Sequence, residues 1–244
     1  MNEVVAEIKK CGGRHIFFAA SQFVGHKART MELLEALIPL RIRWSALFSP
    51  RFGLDANFLD LAKRSGLLHV NMGIESISQD TLQSMRKGFN KSHSYDDMIH
   101  NLRKRNISYS FNFVLGGDAD DPGVFTNTLE FLRRHKVPAA YFNVMVPLRG
   151  TPLYDRMKQE GRIIDEPNME RWAGVKCHFK PTQMTDEELV AQVRWMQREF
   201  YSMPSILRRL GFPRTQADLA SWSINLSQRR VALNSDTMNE FSEY

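Results

Sequence analysis

Residues 67–88 read LLHVNMGIESISQDTLQSMRKG. Leu67 to Ile74 form a short, mostly apolar run with the length and composition of a buried strand. Glu75 follows at once. Ser78 then stands before a helical pattern with Asp80 in its first turn, an N-cap with an acid where the helix dipole favours one. A strand running into a capped helix, with a carboxylate at the joint, is the repeating unit of a parallel α/β fold. Ligands of such folds bind where the strands end.

The same unit recurs on both sides. RHIFFAA (14–20), RIRWSALF (41–48), ISYSFNFVLGG (107–117) and AAYFNVMVP (139–147) are further apolar runs. Between them lie stretches with apolar residues at helical spacing, such as Met98, Ile99 and Leu102, or Phe125, Leu129 and Leu132. Pro122 opens one helix after Asp121, and Gly66 and Gly88 fall where helices are expected to end. Strand starts about 25 to 40 residues apart leave room for crossover helices, so the sheet is expected to be parallel. The chain opens on the helical NEVVAEIKKCG rather than on a strand, so the expected architecture is an α/β partial barrel lacking its first strand.

After Leu148 the pattern changes. PLRGTPLYDRMKQEGRI reads as a loop and a short helix, and the stretch that follows is irregular, with Trp172 and Phe179 as anchors. Thr185 and Glu188 have capping-box spacing at the head of a long amphipathic helix that ends near Pro204. The expected divisions are a partial barrel at 1–150, a mostly helical extension at 151–225 and an unstructured polar tail at 226–244.

Composition narrows the function. The 244 residues are 43% hydrophobic and 25% charged, which suits a globular chain with a real core. The net charge of +6 is spread singly along helices and points to a solvated face, not to a nucleic-acid partner. Two cysteines, Cys11 and Cys177, fit no metal spacing and suit a reducing compartment. The N-terminus has no signal-peptide pattern, and the longest apolar stretch, 139–148, is about half a membrane span. A cytoplasmic protein without a transmembrane segment is expected.

The strand ends carry the candidate chemistry. In order they offer Ala20 and Ser21; Ser49 and Arg51; Gly73, Glu75 and Ser76; Asn112, Gly116, Gly117 and Asp118; and Asn143 with Pro147. Glu75 stands out, because a carboxylate at the end of an apolar strand needs a partner. That partner is either a structural cation or a ligand's hydroxyl or ammonium group. Gly116 and Gly117 either let a ligand approach the backbone or make a tight turn, and GxGxxG is absent. The seven histidines form no HxH or HExxH pair, and Trp195, Phe200 and Tyr201 read as core packing. Glu75 and Asp118 as a general acid and base form a separate reading.

Five segments now carry a resemblance: IFFAASQFVGHK, SGLLHVNMGIESISQDTLQSMRKGFNK, FVLGGDADDPGVFTNTLEFL, VPLRGTPLYDRMKQEGRI and HFKPTQMTDEELVAQVRWMQREFYSMPSILRRL. In this order they resemble the catalytic portion of radical S-adenosylmethionine proteins, in the cobalamin-binding-type branch of hopanoid methylases and anaerobic cyclases. The resemblance implies a partial (β/α)6 barrel. It also implies a 4Fe-4S cluster on a CxxxCxxC loop, S-adenosylmethionine bound to that cluster, and reductive cleavage to a 5′-deoxyadenosyl radical. With cobalamin it implies methyl transfer or cyclisation of a small, hydrophobic substrate. By position it assigns cofactor contact to Glu75, Ser76, Asn112, Gly116, Gly117, Val146 and Pro147.

Two departures stand out. No CxxxCxxC is present, and Ala20, Ser21 and Gln22 replace the two aspartates and the asparagine usual in the family. The chain is therefore expected to be an N-terminally incomplete catalytic portion. The alternative is a degenerate, non-catalytic relative or a subunit that completes a separate polypeptide carrying the cluster and cobalamin.

Overall fold

The computed structural model describes residues 2–164, 166 and 176–234. Its strands are β1 (His15–Phe18), β2 (Arg43–Phe48), β3 (Leu67–Glu75), β4 (Ser108–Leu115) and β5 (Ala139–Val144). Its first six helices are α1 (Asn2–Cys11), α2 (Lys27–Leu37), α3 (Ala56–Arg64), α4 (Gln79–Ser84), α5 (Tyr95–Lys104) and α6 (Gly123–Arg134). The remaining four are α7 (Pro152–Gln159), α8 (Asp186–Phe200), α9 (Met203–Leu210) and α10 (Gln216–Asn234). The strands lie side by side in chain order and all pair in parallel. β1 and β5 are the two edges, so the sheet is an open, partial barrel, as expected.

Strand alternation divides the chemistry between the two faces. Trp44, Ala46, Phe48, Val70, Met72, Ile74, Phe111 and Phe113 form one face and are fully packed. The opposite face carries His69, Asn71, Gly73 and Glu75 from β3, Ser110 and Asn112 from β4, and Tyr141 and Asn143 from β5. Leu189, Val193, Met196 and Phe200 of α8 join the same hydrophobic core as the strands. The Tyr201 hydroxyl also donates to the Ala140 carbonyl at 2.7 Å.

The expected caps form. Ser78 accepts from the Thr81 amide, and Thr185 and Glu188 close a capping box. Other expectations need correction. The helix after β3 ends at Ser84, short of Gly88, because Arg86 itself turns left-handed (φ 55°) and the Lys87 amide reaches back to the Leu82 carbonyl at 2.7 Å. Trp195 is 39% exposed rather than core. Residues 226–234, placed in the polar tail, continue α10, whose buried face is small and polar and so lacks the apolar signature of a packed helix. Phe179 is fully buried, while Trp172 and residues 235–244 lie outside the described residues.

His69 links this helix to the sheet. Its Nδ1 lies 2.8 Å from Ser108 Oγ and its Nε2 3.0 Å from Ser110 Oγ. Ser108 Oγ is 2.8 Å from Ser221 Oγ of α10, and the Ser221 hydroxyl donates to the Ala217 carbonyl at 2.9 Å. Ser108 must then donate to Ser221 and accept from Nδ1–H, which leaves Nε2 to accept from Ser110. Protonation of His69 would force Ser110 to turn from donor to acceptor and would place a positive charge in a desolvated site. Desolvation, aided by nearby His15, lowers the His69 pKa from 6.5 to about 4. The unfolded chain therefore binds the proton first. Stability is complete above pH ~6.5 and should fall as the pH drops toward about 4, by roughly 2–3 kcal/mol. Urea unfolding midpoints across this window should show the slope, and His69→Asn should flatten it.

Candidate functional site

Glu75 occupies a strained joint. It is the last residue of β3 and has a φ of 65°, a region non-glycine residues avoid. The β3–β4 register slips between Gly73 and Glu75. The neighbours hold this joint from several sides. The Tyr95 hydroxyl donates to the Ile74 carbonyl at 3.0 Å and to the Ser76 carbonyl at 3.1 Å. Asn90 Nδ2 donates to the Gly73 carbonyl at 3.1 Å. Burial, aided by the Glu75 charge, pushes the Tyr95 phenol well above its ordinary pKa, so it remains a donor. Such strain persists only where the surroundings over-determine it, and it marks functional sites.

The joint carries the Glu75 carboxylate back over Gly73. A Cβ on Gly73 would lie 2.8 Å from Glu75 Oε1, so a bare backbone there makes room for the carboxylate. The Glu75 side chain is 15% exposed, and its nearest cation is the Lys87 ammonium at 3.6 Å. That separation is long for a hydrogen bond and leaves the carboxylate with acceptor capacity.

Glu75 opens into a cavity of about 450 Å³ at the C-terminal ends of β3, β4 and β5. Met85, Val114, Met145 and Leu153 provide apolar walls. Gly117 lies at the cavity wall, with Arg86, Lys87, Asp118 and Arg156 as its charged groups. Buried Asp120 shapes the turn: one oxygen accepts from the Gly116 and Gly117 amides, both at 3.0 Å, and the other from the Thr81 hydroxyl at 2.8 Å. This clamp ties the end of β4 to α4.

The predicted residues divide. Glu75 and Gly117 line the cavity, whereas Ser76, Asn112, Gly116, Val146 and Pro147 are not among its lining residues. Ser76 is buried, and its hydroxyl accepts from the Ser78 amide at 3.1 Å, which fixes the strand-to-helix turn. Gly116 packs under Phe179 and Leu189. Asn112 sits on the open face of β4 beside Gly73, and Val146 and Pro147 follow Met145 beyond β5. At the strand ends the sequence reading missed Met85, Lys87, Leu153 and Arg156. The last two lie within the quoted GTPLYDRM segment, but nothing local showed that α7 would reach the cavity.

Asp118 is committed elsewhere. Its carboxylate pairs with Arg156 Nη1 at 2.6 Å and Arg162 Nη2 at 2.8 Å. Burial alone would raise its pKa, but hydrogen bonds from Arg162 and Arg156 win and hold it below the ordinary value. A carboxylate stabilised in this way is a poor proton donor, which weighs against the acid–base pairing with Glu75. Cys11 is exposed at the end of α1, and Cys177 is half-buried with its thiol raised to about 11, chiefly by burial. Among the described residues, no three potential metal ligands converge. The donor set of this chain does not fit an iron–sulfur cluster, which needs thiolates.

An open parallel sheet with a cavity at its strand ends defines an α/β protein of the partial-barrel type. Comparison with known proteins narrows the class. The chain is 32% identical over 180 residues to a bacteriochlorophyllide d C-12(1)-methyltransferase of Chlorobaculum tepidum, covering 74% of this chain and 39% of that protein. It is 25% identical over 181 residues to a hopanoid C-2 methylase of Rhodopseudomonas palustris, covering 69% and 34%. The chain thus spans between a third and two fifths of the length of these relatives. Its fold matches the radical S-adenosylmethionine methyltransferase TsrM of Kitasatospora setae with a TM-score of 0.65 at 15% identity, covering 97% of this chain and 55% of that one. Residues 151–234 match a family described as a domain of unknown function, DUF4070. The chain is a relative of the radical S-adenosylmethionine proteins, on the side of the cobalamin-type methyltransferases and anaerobic cyclases. Among the described residues, no helix is long and apolar enough to cross a membrane.

Proposed function

We propose that the cavity at the ends of β3, β4 and β5 binds the adenosyl portion of S-adenosylmethionine, as part of a radical methyltransferase or cyclase whose cluster thiolates come from outside residues 1–244. The observation that carries this reading is the strained, braced Glu75, whose carboxylate faces an apolar cavity with acceptor capacity to spare. Glu75 accepts hydrogen bonds from the ligand's hydroxyl or ammonium groups. Gly117 allows close approach along the backbone, while Met85, Val114, Met145 and Leu153 exclude water. When bound to a cluster, S-adenosylmethionine supplies a carbon-centred radical; this chain's part is to orient it and keep it dry. Cobalamin and a small hydrophobic substrate fit the named relatives, and a cytoplasmic setting fits the two free thiols.

Titration calorimetry with S-adenosylhomocysteine, which keeps the adenosyl group without the reactive sulfonium, tests the reading. The intact chain should bind saturably. Glu75→Gln should weaken binding about 10- to 100-fold, the value of hydrogen bonds to a charged acceptor. Equal binding by both proteins would remove Glu75 from the site, and no binding by the intact chain would refute the proposal.

A further inference from the structure

Strands of a parallel sheet are ordinarily apolar on both faces. Here one face carries amides in mid-strand instead, Asn71 in β3 and Asn112 in β4. The register sets them diagonally across one position. Asn71 pairs with Ser110, and Gly73 pairs with Asn112. Strand alternation puts all four residues on the same face, so Asn71 and Asn112 flank the bare backbone of Gly73. Chain neighbours aside, a Cβ on Gly73 would meet nothing within 4 Å except the Glu75 carboxylate, which roofs the gap.

Neither amide is used by the fold. Asn71 Oδ1 is buried and has no hydrogen-bond partner. The half-buried Asn112 side chain has none among the described residues. Their polar neighbours are taken: Ser110 Oγ lies 3.0 Å from His69 Nε2, and Asn143 Nδ2 donates to the Phe113 carbonyl at 3.4 Å. A buried acceptor without a donor costs stability, so its presence in a folded chain asks for a donor from outside the fold. Asn71 requires an N–H or O–H. Asn112 presents a donor as well as an acceptor, so it can also take a carbonyl. The Lys87 ammonium, 3.6 Å from Glu75, offsets the one charge at the gap and favours a neutral ligand. A ring with N–H next to C=O meets these demands together: its N–H donates to Asn71 Oδ1, and its carbonyl accepts from Asn112 Nδ2. Leu47, which pairs with Asn71, and Val114, the next residue of β4 on this face, give the ring apolar flanks.

We propose that Asn71 and Asn112 form a second ligand site, on the open face of the sheet over Gly73, that reads the N–H and C=O of a neutral lactam-type ring. The site does not depend on what fills the cavity at the strand ends. The probe is 2-pyridone, with N-methyl-2-pyridone, which lacks the N–H, as its control. In the 244-residue chain labelled with ¹⁵N-asparagine, the side-chain amide signals of Asn71 and Asn112 are identified by their loss in Asn71→Leu and Asn112→Leu. Both signals should move saturably with 2-pyridone, at about 1–10 mM for so small a ligand, and at least about tenfold less readily with the N-methyl compound. Asn71→Leu should abolish the shift at Asn112 and melt no lower than the parent chain, since it removes an acceptor the fold leaves unpaired. It should also bind S-adenosylhomocysteine as the parent does, which separates this site from the adenosyl cavity. Unmoved signals, or equal shifts with both pyridones, would overturn the proposal and leave Asn71 Oδ1 to water. A lowered melting point in Asn71→Leu would overturn it by assigning the amide to the fold, and weakened S-adenosylhomocysteine binding would do so by assigning it to the cavity.

Discussion

Replacing Arg209 with methionine should cost about 3–5 kcal/mol of folding stability, read as a large fall in the urea midpoint with little change in slope. Arg209 is 7% exposed, yet among the described residues no carboxylate pairs with it. Its guanidinium is satisfied by backbone instead. Nη1 donates to the Val137 carbonyl at 2.9 Å and the Pro138 carbonyl at 2.7 Å. Nη2 donates to the Phe200 carbonyl at 2.8 Å and to Asn225 Oδ1 at 2.9 Å. The guanidinium carbon also lies 3.6 Å from the centre of the Phe200 ring. One side chain thus joins the start of β5, the end of α8, α9 and α10. Burial lowers its pKa to about 10, so it stays charged at neutral pH.

Methionine fills much of the volume but takes the donor from three buried acceptors, the Val137 and Phe200 carbonyls and Asn225 Oδ1, while the Pro138 carbonyl keeps its bond from Asn225 Nδ2; that loss sets the size of the effect. Lysine would keep the charge without the planar fork and should recover only part of the stability. A loss below about 1 kcal/mol for Arg209→Met would show that water reaches these carbonyls and that the joint is not sealed.

Gly66→Ala should be comparably damaging, at about 3 kcal/mol or more, for a different reason. Gly66 ends the turn from α3 into β3 with a φ of +107°. Its carbonyl accepts from the Trp44 amide at 3.1 Å, which holds the turn against β2. A Cβ there would run into the Ile42 carbonyl group, while meeting the Trp44 ring only at ordinary contact distance. Backbone cannot step aside as a flexible side chain can, so the first residues of β3 would have to shift against β2. Thermal unfolding with near-ultraviolet circular dichroism, which reports on buried Trp44, checks this. A native-like spectrum and melting point would mean that the α3–β3 turn is freer than its hydrogen bonds indicate.

The order and type of the strands were legible in the sequence because their signal is local. Each of the five apolar runs became a strand, and the caps at Ser78 and Thr185 formed from residues three apart. Strand ends were less legible: β1 stops at Phe18, short of Ala19 and Ala20, and α4 stops before Gly88. The position of Glu75 at the end of a strand could be read directly. Its left-handed backbone could not, because nothing in GIES shows that Tyr95 and Asn90 will brace the joint from the next helix and loop.

The sequence by itself determined a parallel α/β chain with a carboxylate at the end of its third strand and too few cysteines for a cluster. Strand alternation, helical spacing and capping act over a few residues, so they survive without tertiary context. Only the tertiary structure decided which strand-end residues share a cavity, because Glu75, Gly117, Met145 and Leu153 meet across connections whose geometry depends on how whole elements pack. It also decided which side of α10 turns inward. There the hydrogen bonds of Ser221 and Asn225 outweigh the tendency of the exposed Leu219, Leu226 and Leu233 to bury, a contest between distant groups that a local pattern does not encode.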